Sequence, residues 1–173
     1  MSRILNLLDR KPILFGLFIV SIIFNFLLSH FIPKDWALDL RFAYSVEEAY
    51  STLGNMSLAN RDLYRTGIWF LDFPYMIFYS LALVGLLYKI WGNKLLIKLP
   101  LLIAFFDLLE NMSILQMLRL FPYENDSLAV FASICTSAKW ILVAFTVLVL
   151  LWGLIQRFLL QKVSTSPQSE YRV

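Results

Sequence analysis

Apolar residues in this chain fall into four long runs separated by short polar breaks. The first extends from Pro12 to Phe31, the second from Thr66 to Tyr88 and the third from Leu99 to Leu118; the fourth lies within Leu128 to Leu160. Each supplies the roughly 20 apolar residues that a helix needs to cross a hydrocarbon core. The pattern predicts an all-α membrane protein, an antiparallel four-helix transmembrane bundle forming a single domain over residues 1–163. Arg3, Arg10 and Lys11 precede the first run, as in a signal peptide. That run is too long for one, however, and no small-residue cleavage site follows, so it reads as a retained anchor.

The polar breaks differ. The loop over 33–65 opens with WALDLRFAY, in which Trp36, Leu38, Leu40, Phe42 and Tyr44 alternate with Ala37, Asp39, Arg41 and Ala43. Strict alternation predicts a half-buried, strand-like segment. Then comes SVEEAYSTLG, where Ser45 and Glu48 have capping-box spacing and Gly54 can end a helix. Val46, Ala49, Tyr50 and Leu53 give it one apolar face, which predicts a short interfacial helix lying as a lid on the bundle. The tail over 164–173 is polar and is expected to be disordered.

Charge orients the spans. An N-terminus in the cytoplasm places Arg3, Arg10, Lys11, Lys89, Lys94, Lys98, Arg157, Lys162 and Arg172 inside, and Lys34, Arg41, Arg61, Arg65 and Arg119 outside. Nine basic residues against five favour that orientation, with both termini cytoplasmic in a plasma or bacterial inner membrane.

Composition narrows the chemistry. Sixty per cent of residues are hydrophobic and 16% charged, which argues against a soluble chain. The net charge of +3 is small and the basic residues are scattered, which argues against nucleic-acid binding. A single cysteine, Cys135, excludes an internal disulfide and a CxxC site. A single histidine, His30, rules out a metal or haem site built on paired histidines, and no cofactor is expected. Membrane lipid is the expected partner, and homo-oligomers remain open.

The polar residues within the spans are the candidate chemistry, because an ionisable group there is costly and usually turns toward protein or water. In the third run Asp107, Glu110 and Asn111 stand at i, i+3 and i+4, on one helix face. In the second, Arg65, Trp69, Asp72, Tyr75 and Tyr79 recur at spacings of three and four, with Pro74 beside Asp72. Lys139 interrupts the fourth run, and Asn25, Ser29 and His30 lie in the first. At about 1.5 Å rise per residue from the inner lysines, Asp107 stands about 14 Å up, Glu110 about 18 Å and Asp72 about 25 Å. Lys139, about 27 Å above Arg157, has a stem long enough to reach up or down. These heights predict one cluster between mid-membrane and the outer face. Its plainest role is helix-to-helix bonding with Lys139 as counter-ion. Arg65 is an alternative partner for Asp72.

Three stretches, LDLRFAYSVEEAY (38–50), LDFPYMIFY (71–79) and FDLLEN (106–111), together resemble a widespread, mostly bacterial set of uncharacterised four-span membrane proteins. The resemblance covers most of the chain. It implies the four-helix architecture and places Asp39, Arg41, Tyr44, Asp72, Asp107, Glu110 and Asn111 in the family pattern, without implying a reaction. In architecture the chain is more weakly similar to the EXPERA four-helix proteins, which include sterol isomerases and a sterol-binding receptor. It departs from them in the motifs around its acidic residues.

Three functions follow as expectations. The first is binding of a lipid-like or amphiphilic molecule in an outer-leaflet polar pocket, with Asp72, Tyr75, Glu110, Asn111 and Lys139 as contacts. The second is a membrane-embedded acid–base enzyme of the EXPERA isomerase type, with Glu110 or Asp107 as the catalytic group. The third is a small proton- or cation-coupled carrier.

Overall fold

The computed structural model describes residues 2–164, and every regular element among them is helical. Helix α1 (Ser2–Leu8) leads into α2 (Lys11–Phe31), which starts with Pro12 in its first turn, where a missing N–H costs nothing. A one-turn 3₁₀ segment at Leu38–Leu40 comes next, then α3 (Val46–Gly54) and α4 (Leu58–Gly67). A π-helical turn over Ile68–Asp72 joins α4 to α5 (Phe73–Trp91). The chain ends in α6 (Lys98–Leu120) and α7 (Asp126–Ser164). Four helices, Lys11–Phe31, Leu58–Trp91, Lys98–Leu120 and Asp126–Arg157, are long and apolar enough to cross a membrane. Each of the four apolar runs lies in one of these helices, and the second helix begins before its run, because Leu58–Gly67 is polar on average although helical. The sequence pattern passes over α1 altogether. Of the expected tail, Ser164 belongs to α7 and residues 165–173 lie outside the described residues.

Short polar connections force neighbouring helices to run antiparallel, and α6 against α7 forms the most extensive contact. Phe15 and Phe26 on α2, Phe70 in the π turn, Phe105 on α6 and Phe145 on α7 all point outward and are exposed. The core is filled from the opposite faces. At the end of the bundle that holds α1, Leu5 and Leu8 pack on Val84 and Ile97. The approach is so close that a Cβ at Gly85 would meet the Leu8 carbonyl at 2.5 Å. The C-terminus of α5 closes on Gly92 at φ 63°, a left-handed position that suits glycine. Its last carbonyls, on Lys89 and Ile90, accept from the Arg157 guanidinium of α7.

The opposite end is sealed by the loop before α4. Ser45 and Glu48 form the expected capping box, with Ser45 N–H donating to Glu48 Oε2 at 2.7 Å and Glu48 N–H to Ser45 Oγ at 3.1 Å. Ala49, Tyr50 and Leu53 of α3 are buried in one cluster with Ile114, Met117, Ala129 and Ala132 of the bundle. Tyr50 Oη also exchanges hydrogen bonds with the backbone of Asn125, at 3.2 and 2.6 Å. The lid expected from the sequence is thus present over α6 and α7.

The strand-like segment before α3 is expected either to pair with a partner strand or to lie on the bundle as an extended stretch. No strand forms among the described residues, and WALDLRFAY bends through the 3₁₀ turn instead. Leu38 and Tyr44 are buried, but Leu40 and Phe42, which alternation placed on the same face, are exposed. A strand here would have no neighbour to satisfy its ladder groups. Contacts to α7 replace the ladder: Ser137 Oγ donates to the Phe42 carbonyl at 2.8 Å, Trp140 Nε1 donates to the Asp39 carbonyl at 2.9 Å, and Tyr44 N–H donates to Ser133 Oγ at 3.0 Å.

The capping box generates a test. Ser45→Ala should weaken α3 by about 1 kcal/mol, the usual cost of a lost N-cap. Limited proteolysis should then cut faster within 45–54 while the four long helices stay protected. Unchanged cleavage with several proteases would contradict the capped lid.

Candidate functional site

Asp107 and Glu110 project from α6 toward Lys139 of α7, and they and Asn111 are all buried. Their i, i+3, i+4 spacing sets them on the face that meets Thr136 and Lys139, themselves about one turn apart. Lys139 Nζ lies 3.0 Å from Asp107 Oδ1 and 2.6 Å from Glu110 Oε2. Thr136 Oγ1 donates to Glu110 Oε1 at 2.6 Å, and Tyr79 Oη of α5 donates to Asp107 Oδ2 at 2.7 Å. One ammonium, two carboxylates and two hydroxyls therefore tie three helices together. Lys139 reaches both acids from α7, bridging Asp107 and Glu110 one turn apart on α6. Buried ions need such pairing, because the loss of hydration is otherwise uncompensated.

Beside this cluster lies a cavity of about 530 Å³. That is within the range of small-molecule sites. Asp72 of the π turn with Tyr75 and Tyr79 of α5 form one wall and Lys139, Trp140 and Val143 of α7 another. Asp107 and Ile103 of α6 lie at its back, and Asp39 and Leu40 of the 3₁₀ turn also line it. The side formed by α2 carries Phe18, Ser21, Ile22 and Asn25. Phe18 and Ile22 line the cavity while remaining exposed on the outer surface of the bundle, so the opening is lateral. Helix α2 packs chiefly on α5, and α7 on α6, and the cavity lies in the gap this leaves between α2 and α7.

Of the residues singled out in the sequence, Asp72, Tyr75, Asp107 and Lys139 line the cavity. Glu110 and Asn111 do not. Glu110 is 0% exposed behind Lys139, where it holds the lysine in place. Asn111 is equally sealed, with its amide beside the Asp72 carboxyl. His30 is exposed and stacks on Phe26, outside the cavity. Arg65 pairs with Asp62 at 3.3 Å on the surface, not with Asp72.

The separation of Arg65 from Asp72 has a backbone cause. Pro74 cannot donate to a carbonyl one turn back and its ring crowds that turn. The helix widens into the π turn, with Phe73 N–H bonding to Ile68 O. A π turn adds one residue and rotates everything beyond it relative to what precedes. Arg65 and Trp69 therefore stay on the outer surface while Asp72, Tyr75 and Tyr79 turn inward to the cavity.

Sequence reasoning did not single out Asp39 as a contact. In an alternating segment it belonged to the solvent face. The 3₁₀ turn instead brings it to the cavity, and burial holds its carboxyl above the ordinary aspartate range against the opposing pull of Lys139. The available signal was its place in the family pattern carried by LDLRFAYSVEEAY.

Thr136→Val and Tyr79→Phe each delete one hydroxyl from the cluster. Membrane hydrogen bonds average about 0.6 kcal/mol and reach about 1.7. Thr136→Val should fall at the upper end, because the freed Glu110 oxygen is sealed from water. Tyr79→Phe should cost less, because Asp107 borders the cavity and water can replace the phenol. Reversible unfolding in mixed micelles measures both, and the opposite ranking would contradict this geometry. No family model, curated protein or solved structure matches this chain.

Proposed function

We propose that this is an integral membrane protein with both termini in the cytoplasm, and that its cavity binds a lipid-like or amphiphilic molecule entering sideways from the outer leaflet. The observation that carries the reading is the lateral opening between α2 and α7, with charged groups at its back and apolar residues at its mouth. A molecule with a polar head and a hydrocarbon body satisfies both ends of such a site. The exposed phenylalanines on the long helices support the membrane setting, since contiguous apolar surface of this extent needs lipid to cover it. The excess of basic residues at the inner ends supports the orientation.

The polar contacts are Asp72, Tyr75 and Lys139 at the wall, with Asp107 and Tyr79 beside them. Glu110 and Asn111 act from behind, Glu110 as the second counter-ion of Lys139. A catalytic reading would place acid–base work on Asp107, the carboxyl of the pair that reaches the cavity. A carrier reading finds less support, because toward the inner side the lining turns apolar at Ala82, Leu83 and Val143.

Leu83→Trp tests the binding reading by filling the cavity without touching the ionic cluster. Protein excised with its surrounding lipid by a membrane-solubilising copolymer should carry one amphiphile enriched over bulk membrane, seen by mass spectrometry. The Leu83→Trp protein should lose that enrichment while keeping its melting behaviour. An identical lipid profile in both proteins, equal to bulk membrane, would overturn the reading.

A further inference from the structure

We propose that the cavity selects an amphiphile with a positively charged ammonium headgroup, an inference that rests on the binding function above. Four carboxyls, Asp39, Asp72, Asp107 and Glu110, surround or back this cavity, and a single ammonium, Lys139, stands against them. Lys139 is already committed to Asp107 and Glu110. Its charge is already matched by two carboxylates, so its remaining N–H can bond a ligand without supplying net attraction for an anionic headgroup, while Asp72 and Asp39 have no cation of their own among the described residues. Asp72 is decisive. It is 7% exposed, it lines the cavity, and no cation pairs with its carboxyl among the described residues, its polar neighbour being the uncharged Asn111 amide. The π turn that aims it inward is a costly departure from regular helix, of the kind that recurs at functional sites.

The carboxyls are not gathered as ligands of one metal ion would be. Among the described residues no three acidic, histidine or cysteine side chains come together closely enough to hold a metal ion. The carboxyls are spread around a volume that suits an organic cation. Tyr75 and Tyr79 pack edge to face at 5.1 Å, and with Trp140 they supply aromatic rings along the same walls. Aromatic faces attract ammonium groups electrostatically and suit alkylated ones that hydrogen-bond poorly. The tail also has a course. A second, shallower groove begins at Leu40 and Trp140, which line both hollows, and follows Ile141, Ala144, Phe145 and Leu148 down α7. At 1.5 Å per residue the stretch from Trp140 to Leu148 gives a hydrocarbon chain about 12 Å of apolar wall.

The test uses the full chain purified in dodecyl maltoside, with tritiated dodecyltrimethylammonium and radiolabelled dodecyl sulfate as probes of equal tail length. The cationic probe should bind saturably near one per chain. The sulfate, and the cationic probe on Asp72→Asn, should each bind at least about tenfold more weakly, equivalent to about 1.4 kcal/mol. Asp39→Asn, in the loop outside the long helices, should weaken the cation as well and decides the matter if Asp72→Asn does not fold. Displacement of the cationic probe by short-chain phosphatidylethanolamine would assign the headgroup to a phospholipid, and resistance to displacement would assign it to a free amine; either result supports the ammonium site. Equal binding of sulfate and cation, both lost in Leu83→Trp, would overturn the charge preference but keep the amphiphile site. Tight cation binding in both aspartate variants would overturn it too. Saturable binding of neither probe would remove the binding function itself.

Discussion

A lysine side chain inside an apolar bundle must be neutralised where it stands, and the rest of this structure is arranged around that constraint. Lys139 satisfies it with two carboxylates from α6, at 3.0 and 2.6 Å. Because those carboxylates are themselves buried, they in turn need donors, which Tyr79 and Thr136 supply. The result is a closed chain of polar contacts running from α5 through α6 to α7. Hydrophobic contact does little to hold helices together in lipid, where the surroundings are as apolar as the side chains. A satisfied ionic cluster gives α6 and α7 a specific register that packing of leucines alone would leave loose.

The same constraint shapes the cavity. The cluster pulls α5, α6 and α7 together and leaves α2, which contributes no charge to it, leaning on α5. The gap between α2 and α7 becomes a lateral opening, covered by the 3₁₀ turn that Trp140, Ser133 and Ser137 anchor to α7 through backbone contacts on the flanking loop. Asp72 enters this space only because Pro74 widens the helix before it. Function, in this reading, occupies the place where the bundle's polar interior reaches its lipid-facing surface.

Much of this was legible in the sequence, and the failures have physical reasons. The four long helices follow from run length, and the α3 lid from Ser45, Glu48 and an apolar face of three to four residues. The stripe of Asp107, Glu110 and Asn111 could be assigned to one helix face, and Lys139 to its counter-ion, because helical spacing and the cost of buried charge are local or general rules. Which of those acids borders a cavity was not legible. Glu110 and Asp107 are one turn apart, and only the positions of α5 and α7 decide that Asp107 faces space and Glu110 faces protein. Asp39 was missed because alternation in WALDLRFAY mimics a strand, and tertiary contacts to α7 override it. Arg65 and Asp72 were grouped on one face because regular helical counting cannot register an added π residue.

The central claim is that Lys139, Asp107 and Glu110 form one electrostatic unit whose members are stabilising only together. It is tested most directly by comparing Lys139→Met alone with the triple variant Lys139→Met, Asp107→Asn, Glu110→Gln in reversible unfolding. The lysine change alone leaves two buried carboxyls without their cation, and breaking a buried pair typically costs about 3–5 kcal/mol. Neutralising both acids as well should recover most of that loss, because hydrogen-bonding capacity remains and no unpaired charge does. A triple variant less stable than Lys139→Met by the sum of the separate acid substitutions would show the three residues acting independently, and would contradict the account.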